Sequence, residues 1–228
     1  MSIIKRGFEL DKGAFVRSDD SEGDSLGVFH GHAAVFNQEA LIGSTRAGFI
    51  EFIAPGAFDD VLENDVRFLF NHDGQPLART TNGTLRLSVD HVGLVDDADI
   101  ARTSLGNDMI TLLNRQDINQ QSFAFTIREQ MWSSRTLKTA DGEQIVDVRE
   151  ITKLDRLYDT SLVTYPAYDG TDAGVRTSVA SNNEIEEALR LSGRSDRDVQ
   201  IMLHDAYAYK RSIDLTATRE RSIPRWAR

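Results

Sequence analysis

Apolar and polar residues alternate along much of this chain, and a period of two is satisfied by extended backbone with one buried face. Val66–Arg67–Phe68–Leu69–Phe70 and Leu85–Arg86–Leu87–Ser88–Val89 show the pattern. The same reading predicts strands over 28–36, 93–99, 121–131, 146–154 and 158–164, with Asp141–Gly142 as a turn between two of them. Short strands joined by short turns suggest a mainly antiparallel barrel or sandwich. Helices are expected at two interruptions. One is 55–64, where Pro55 can sit in a first turn; the other is 104–116, where Met109, Ile110, Leu112 and Leu113 form an apolar stripe.

Beyond Pro166 the chain turns rich in Ala, Gly, Ser and Asn, so 169–183 reads as a linker. Helix follows: Ser181 and Glu184 have the spacing of a capping box, and Val199, Met202, Leu203 and Ala206 share one face. These last helices either pack on the main body or serve a partner. The segment 17–27, with its Asp, Ser and Gly content, reads as an exposed and mobile loop.

A chain of 228 residues fits one large domain, or one domain with an appendage. A hydrophobic fraction of 40% is enough to bury a core. The net charge of −10 argues against broad binding to nucleic acid or anionic membrane. Positive charge gathers at 209–228, where six basic side chains face two acidic ones. No apolar run approaches the roughly 20 residues that span a bilayer. Nothing in residues 1–11 reads as a secretory signal, so an intracellular protein is expected. The absence of cysteine removes disulfides, thiolate catalysis and cysteine-built metal sites together.

Serine chemistry needs a hydroxyl and a base, and the five histidines at 30, 32, 72, 91 and 204 supply candidates that spacing does not separate. His72 follows an apolar strand in Phe70–Asn71–His72–Asp73–Gly74, at a turn from which a side chain can enter a cleft. Ser122 lies in Gln121–Ser122–Phe123–Ala124–Phe125, sharing a strand face with the small Ala124 while the Phe rings take the other. That segment also fits a strand with one polar face and no chemistry. His30 and His32 share a face as metal ligands do, but no third ligand accompanies them. The adjacent pairs Asp96–Asp97 and Glu186–Glu187 read as solvated charge.

The segments gain meaning in order. Gly31–His32–Ala33–Ala34–Val35–Phe36–Asn37 precedes Ile53–Ala54–Pro55–Gly56–Ala57–Phe58, then Asn71–His72–Asp73 and Pro76–Leu77–Ala78–Arg79. Gly83–Thr84–Leu85, Gln121–Ser122–Phe123–Ala124–Phe125 and Asp159–Thr160–Ser161–Leu162–Val163–Thr164–Tyr165–Pro166–Ala167 follow. Together, over about 27–168, they resemble the tailed-phage prohead maturation proteases, which are similar to the herpesvirus assemblins.

The resemblance implies an α+β fold: a closed, mostly antiparallel β-barrel wrapped by helices, with a helical C-terminal extension. On that reading 1–27 is a flexible N-terminal segment, 28–168 the serine protease barrel, 169–183 a linker and 184–228 a helical basic extension. It implies a serine endopeptidase that cleaves scaffold and capsid precursors, with the major capsid protein and scaffold as partners. Self-association, the procapsid interior and the host cytoplasm are expected with it; a cofactor, nucleic acid or membrane is not. The family's histidine falls on His72 and its nucleophile on Ser122. Asp159 is the expected third member, with Glu150 in reserve. Ala124 stands where the family often has Gly, which tightens the space beside Ser122. The alternative is a non-catalytic capsid assembly or scaffold protein on the same fold.

Overall fold

A computed structural model describes residues 3–9, 15–18, 23–44, 48–139, 142–164, 176–178 and 182–204. Asp141, Tyr165–Pro166, Ser181 and the basic stretch 209–228, all singled out above, lie outside these residues. Two sheets share one core. The smaller orders β2 (Phe15–Ser18), β3 (Ser25–Val35), β9 (Gly93–Ala101) and β8 (Leu85–Val89), all antiparallel. The larger runs from β1 (Ile4–Glu9) through β10 (Gln120–Thr139), β11 (Gly142–Leu162), β5 (Gly48–Ile53) and β4 (Ala40–Gly43) to β12 (Arg176–Ser178). From it β6 (Arg67–Phe70) and β7 (Asp73–Arg79) branch off β11.

The alternation that predicts strands is what fills the core. Phe29 and Ala33 of β3, Leu94, Ala98 and Ile100 of β9, and Leu85 of β8 meet Phe68 of β6, Phe123 and Phe125 of β10 and Leu162 of β11. Phe123 stacks on Phe125 with ring centroids 4.7 Å apart, and Phe29 lies 5.1 Å from Phe68. Gly31, between Phe29 and Ala33, is buried for want of room: a Cβ there would sit 2.7 Å from the Phe29 ring.

The expected closed barrel is not what forms: both sheets are open. Among the described residues β1, β7 and β12 of the larger sheet, and β2 and β8 of the smaller, pair on one side only. The cause lies in β11, a single strand where two were expected. Its first part pairs in parallel with β5 (Asp147 opposite Phe49) and its last part in parallel with β6 (Asp159 opposite Arg67). Bulges in its ladder with β10, between Ala124 and Gln130, separate these two parts. One edge of β11 thus serves two diverging strands, and the sheet forks instead of curling shut.

Helices do not wrap it. The segment 55–64, expected as a helix, is a chain of turns with i to i+3 hydrogen bonds, beginning at Gly56 in the left-handed region (φ 86°). It lies along β11, where Leu154 N–H donates to Ala57 O at 3.0 Å. The other expected helix forms as α1 (Ser104–Asn114), capped by the Thr103 hydroxyl and burying Met109 and Leu113. Towards the end of the chain α2 (Asn182–Leu191) and a helical run over 196–204 pack Ile185, Ala188, Leu189, Val199 and Leu203 onto Ala40, Ile42 and Phe49 of β4 and β5.

Candidate active site

Ser122 sits on β10 between two neighbours, opposite Gly7 of β1 and Ser161 of β11. Gln121 and Phe123 turn toward the smaller sheet, so Ser122 and Ala124 occupy the other face of the strand. On that face of β11 stand Asp159 and Ser161, with Asp159 opposite Ala124 in the ladder. His72 follows β6, the third strand of this group. Phe70 pairs with Asp73, so Asn71 and His72 form a two-residue hairpin between β6 and β7. Both have positive φ, 53° and 59°, as a type I′ turn requires.

Positive φ is uncommon outside glycine, though Asn and His adopt it more readily than most residues, and here the turn is also held from outside. Asn71 holds it to the end of β11. Its N–H donates to Leu162 O at 2.8 Å, its Oδ1 accepts from Thr164 N–H at 3.0 Å, and its Nδ2 donates to Thr164 Oγ1 at 3.3 Å. The strand that carries Asp159 therefore also anchors the turn that carries His72.

The three side chains meet in line. His72 Nδ1 lies 2.6 Å from Asp159 Oδ1, and His72 Nε2 lies 2.8 Å from Ser122 Oγ. The Ser161 hydroxyl donates to the same Asp159 oxygen at 2.7 Å. Ser122 is 1% exposed and the His72 side chain 9%, so the line is sheltered from bulk water. With Nδ1–H donating to the carboxylate, Nε2 is the acceptor that a hydroxyl proton needs.

Glu150, the reserve, belongs to the other arm of β11, opposite Met131 of β10 and Phe52 of β5. Nine strand residues from Asp159, it stands about 30 Å along the chain from the His72 contact. His30 and His32 are each held by their own carboxylate, Asp97 at 2.7 Å and Asp90 at 3.1 Å. Among the described residues no group of three or more acids and histidines could hold a metal ion. Asp96 corrects the reading of Asp96–Asp97 as solvated charge: it is 0% exposed, between the sheets. The sequence alone does not mark Ser161, Asn71 or Asp96 as candidates. Ser161 had a signal, two positions past Asp159 and hence on its face; Asp96 had one only in hindsight, on the buried phase of an apolar strand.

A family model described as caudovirus prohead serine protease matches residues 13–187, most of the chain. The chain belongs to this family. The matched span contains Ser122, His72 and Asp159 and extends past both ends of the stretch that carries the motifs. No curated protein and no solved structure gives a match. The protein is accordingly a serine peptidase that acts in prohead maturation. No helix among the described residues is long and apolar enough to cross a membrane.

Proposed function

We propose that this prohead protease cuts peptide bonds with Ser122 as nucleophile, His72 as general base and Asp159 as the orienting carboxylate. The observation that carries the reading is the unbroken hydrogen-bonded line of 2.6 and 2.8 Å from Asp159 through His72 to Ser122. Asp159 fixes the tautomer in which Nε2 is bare and stabilises the imidazolium that forms when Nε2 takes the Ser122 proton. Ser122 Oγ then bonds to the peptide carbonyl carbon. The same proton passes from Nε2 to the departing amine as the C–N bond breaks, leaving an acyl-enzyme. Water, deprotonated by His72 in turn, releases the acid and restores Ser122. Ser161 keeps Asp159 aimed while this happens.

The substrates proposed are the phage's scaffold and major capsid protein, cut within the procapsid in the host cytoplasm, where the protease also meets further copies of itself. A fluorophosphonate probe tests the chemistry. Labelling of the pure protein at Ser122, lost in Ser122→Ala and in His72→Ala, is the expected result. Labelling at another serine moves the nucleophile there, and none in protein concentrated as in a capsid returns the choice to a non-catalytic assembly protein.

A further inference from the structure

Behind the site, on the opposite face of β10 and β11, lies a polar cluster that the chemistry above does not use. Gln121, next to Ser122, and Thr160, next to Asp159, both point into the space between the sheets and are both 0% exposed. Asp96 of β9 reaches them from the smaller sheet, and Gln121 Nε2 donates to its Oδ2. Gly31, opposite Asp96 in the ladder of β3 and β9, leaves the room, since a Cβ there would lie 3.3 Å from Gln121 Oε1.

The cluster is one donor short. Asp96 Oδ1, Gln121 Oε1 and Thr160 Oγ1 are buried without a completed hydrogen bond, although the Thr160 hydroxyl lies near enough to the Asp96 carboxyl to favour its charged form. An ionised carboxylate only accepts, so it leaves Gln121 Oε1 unserved; a neutral carboxylic acid adds the O–H that can serve it or Thr160.

We propose that Asp96 is a positioning residue for the catalytic strands, acting as a neutral acid that pins Gln121 and Thr160 to the smaller sheet and so sets the separation of Ser122 from Asp159. Burial pushes the Asp96 carboxyl up to about 7, assisted by Asp97 and opposed by Thr160 and Gln121. The ionisable groups around it are otherwise engaged. Asp97 pairs with His30 of β3, His32 of β3 with Asp90, and Arg86 of β8 with Asp99, while Asp159 lies on the far face of β11. The added donor is present below about pH 7 and lost above.

This inference rests on the serine peptidase reading, so the experiment separates the two. Fluorophosphonate labelling rates are measured from pH 5 to 9 for wild type, Asp96→Asn and Asp96→Leu, with urea unfolding over the same range. Asparagine keeps the shape and always carries a donor. The wild type should label more slowly above about pH 7. Asp96→Asn should label at near the wild-type peak rate without that alkaline fall. Asp96→Leu should label about tenfold more slowly at every pH, as a small displacement of reacting groups does. A carboxyl whose pKa is raised on folding adds stability below its unfolded value, lost as pH rises from about 4 to about 7, and Asp96→Asn should lack this slope. An alkaline fall retained in Asp96→Asn, or wild-type rates in a folded Asp96→Leu, overturns the positioning role alone. If Asp96→Leu does not fold, the asparagine profile decides. A wild type that does not label overturns the peptidase chemistry and this role together.

Discussion

Removing the Ser122 hydroxyl takes one oxygen from a buried strand position, a packing change far smaller than the loss of a nucleophile. Ser122→Ala should therefore fold as the wild type does and leave precursors uncut, a loss of several orders of magnitude in rate. His72→Ala should be nearly as damaging and the double variant no worse than either, because the residues act as one unit; precursor cleavage by purified protein measures all three. Asp159→Asn keeps the volume and inverts the tautomer preference of His72, so activity should fall by roughly 10³- to 10⁴-fold, while Glu150→Gln changes it little. The reverse order would move the carboxylate role to Glu150. The residues proposed for this chemistry stand out in the sequence because each sits in a short, ordered motif. Asp96 does not, since a carboxylate beside a second carboxylate reads as solvated until the opposing sheet is known to cover it.

The hairpin of β6 and β7 does for His72 what a strand alone does for Ser122. Its two left-handed residues aim the imidazole across β11, and Asn71 fastens them to Thr164 and Leu162. Asn71→Gly keeps the backbone permissive and removes the side-chain bonds, whereas Asn71→Ala loses both. The glycine variant should be destabilised by about 1 kcal/mol for the lost hydrogen bonds, and the alanine variant by about 1–2 kcal/mol more for the left-handed conformation. Urea unfolding reads these differences, and the fluorophosphonate labelling rate should drop in the same order; equal stabilities would mean that the turn is held by β6 and β7 alone. A strand pattern locates such elements and cannot say how they join. The period of two marks β3, β8, β9 and β10, but a bulged strand that serves β5 and then β6 looks like two strands with a gap, as 146–154 and 158–164 did. The turns over 55–64 have a helix-like apolar spacing, with Ala57, Phe58 and Val61 buried, and what overrides it is Gly56 and the edge of β11 alongside.

Across the whole molecule, one buried ionic group joins parts far apart in sequence. Arg6 of β1 and Arg149 of β11 both bind Glu51 of β5, at 2.5 and 2.6 Å, and Arg6 reaches Glu184 of α2 at 2.6 Å. Burial pushes the Glu51 carboxyl up, but Arg149 and Arg6 outweigh it and hold it below its ordinary 4.5. A lowered carboxylate gives stability that is present above its unfolded pKa and lost as pH falls through the folded value. The protein should therefore weaken below about pH 4.5, and Glu51→Ala, which removes the carboxylate that buried Arg149 and Arg6 share, should cost about 3–5 kcal/mol at neutral pH in urea unfolding. An undiminished stability would show that the arginines find other acceptors. At the same scale, the proposed chemistry makes the protease a candidate substrate for itself. Confinement raises effective concentration, so a peptidase that meets scaffold in a procapsid meets its own chain as often. The Ala, Gly, Ser and Asn content of 169–183, around the short β12, and the basic stretch after Lys210 mark sequences poorly suited to a packed core, and cleavage needs an extended backbone. Wild type incubated at high concentration should shorten by cuts in 169–183 or after Lys210, while Ser122→Ala stays at full length in the same time. Intact-mass measurement of the two side by side decides it: equal, full-length masses would mean that these segments are guarded from Ser122, and shortening of both would place the cuts with another protease.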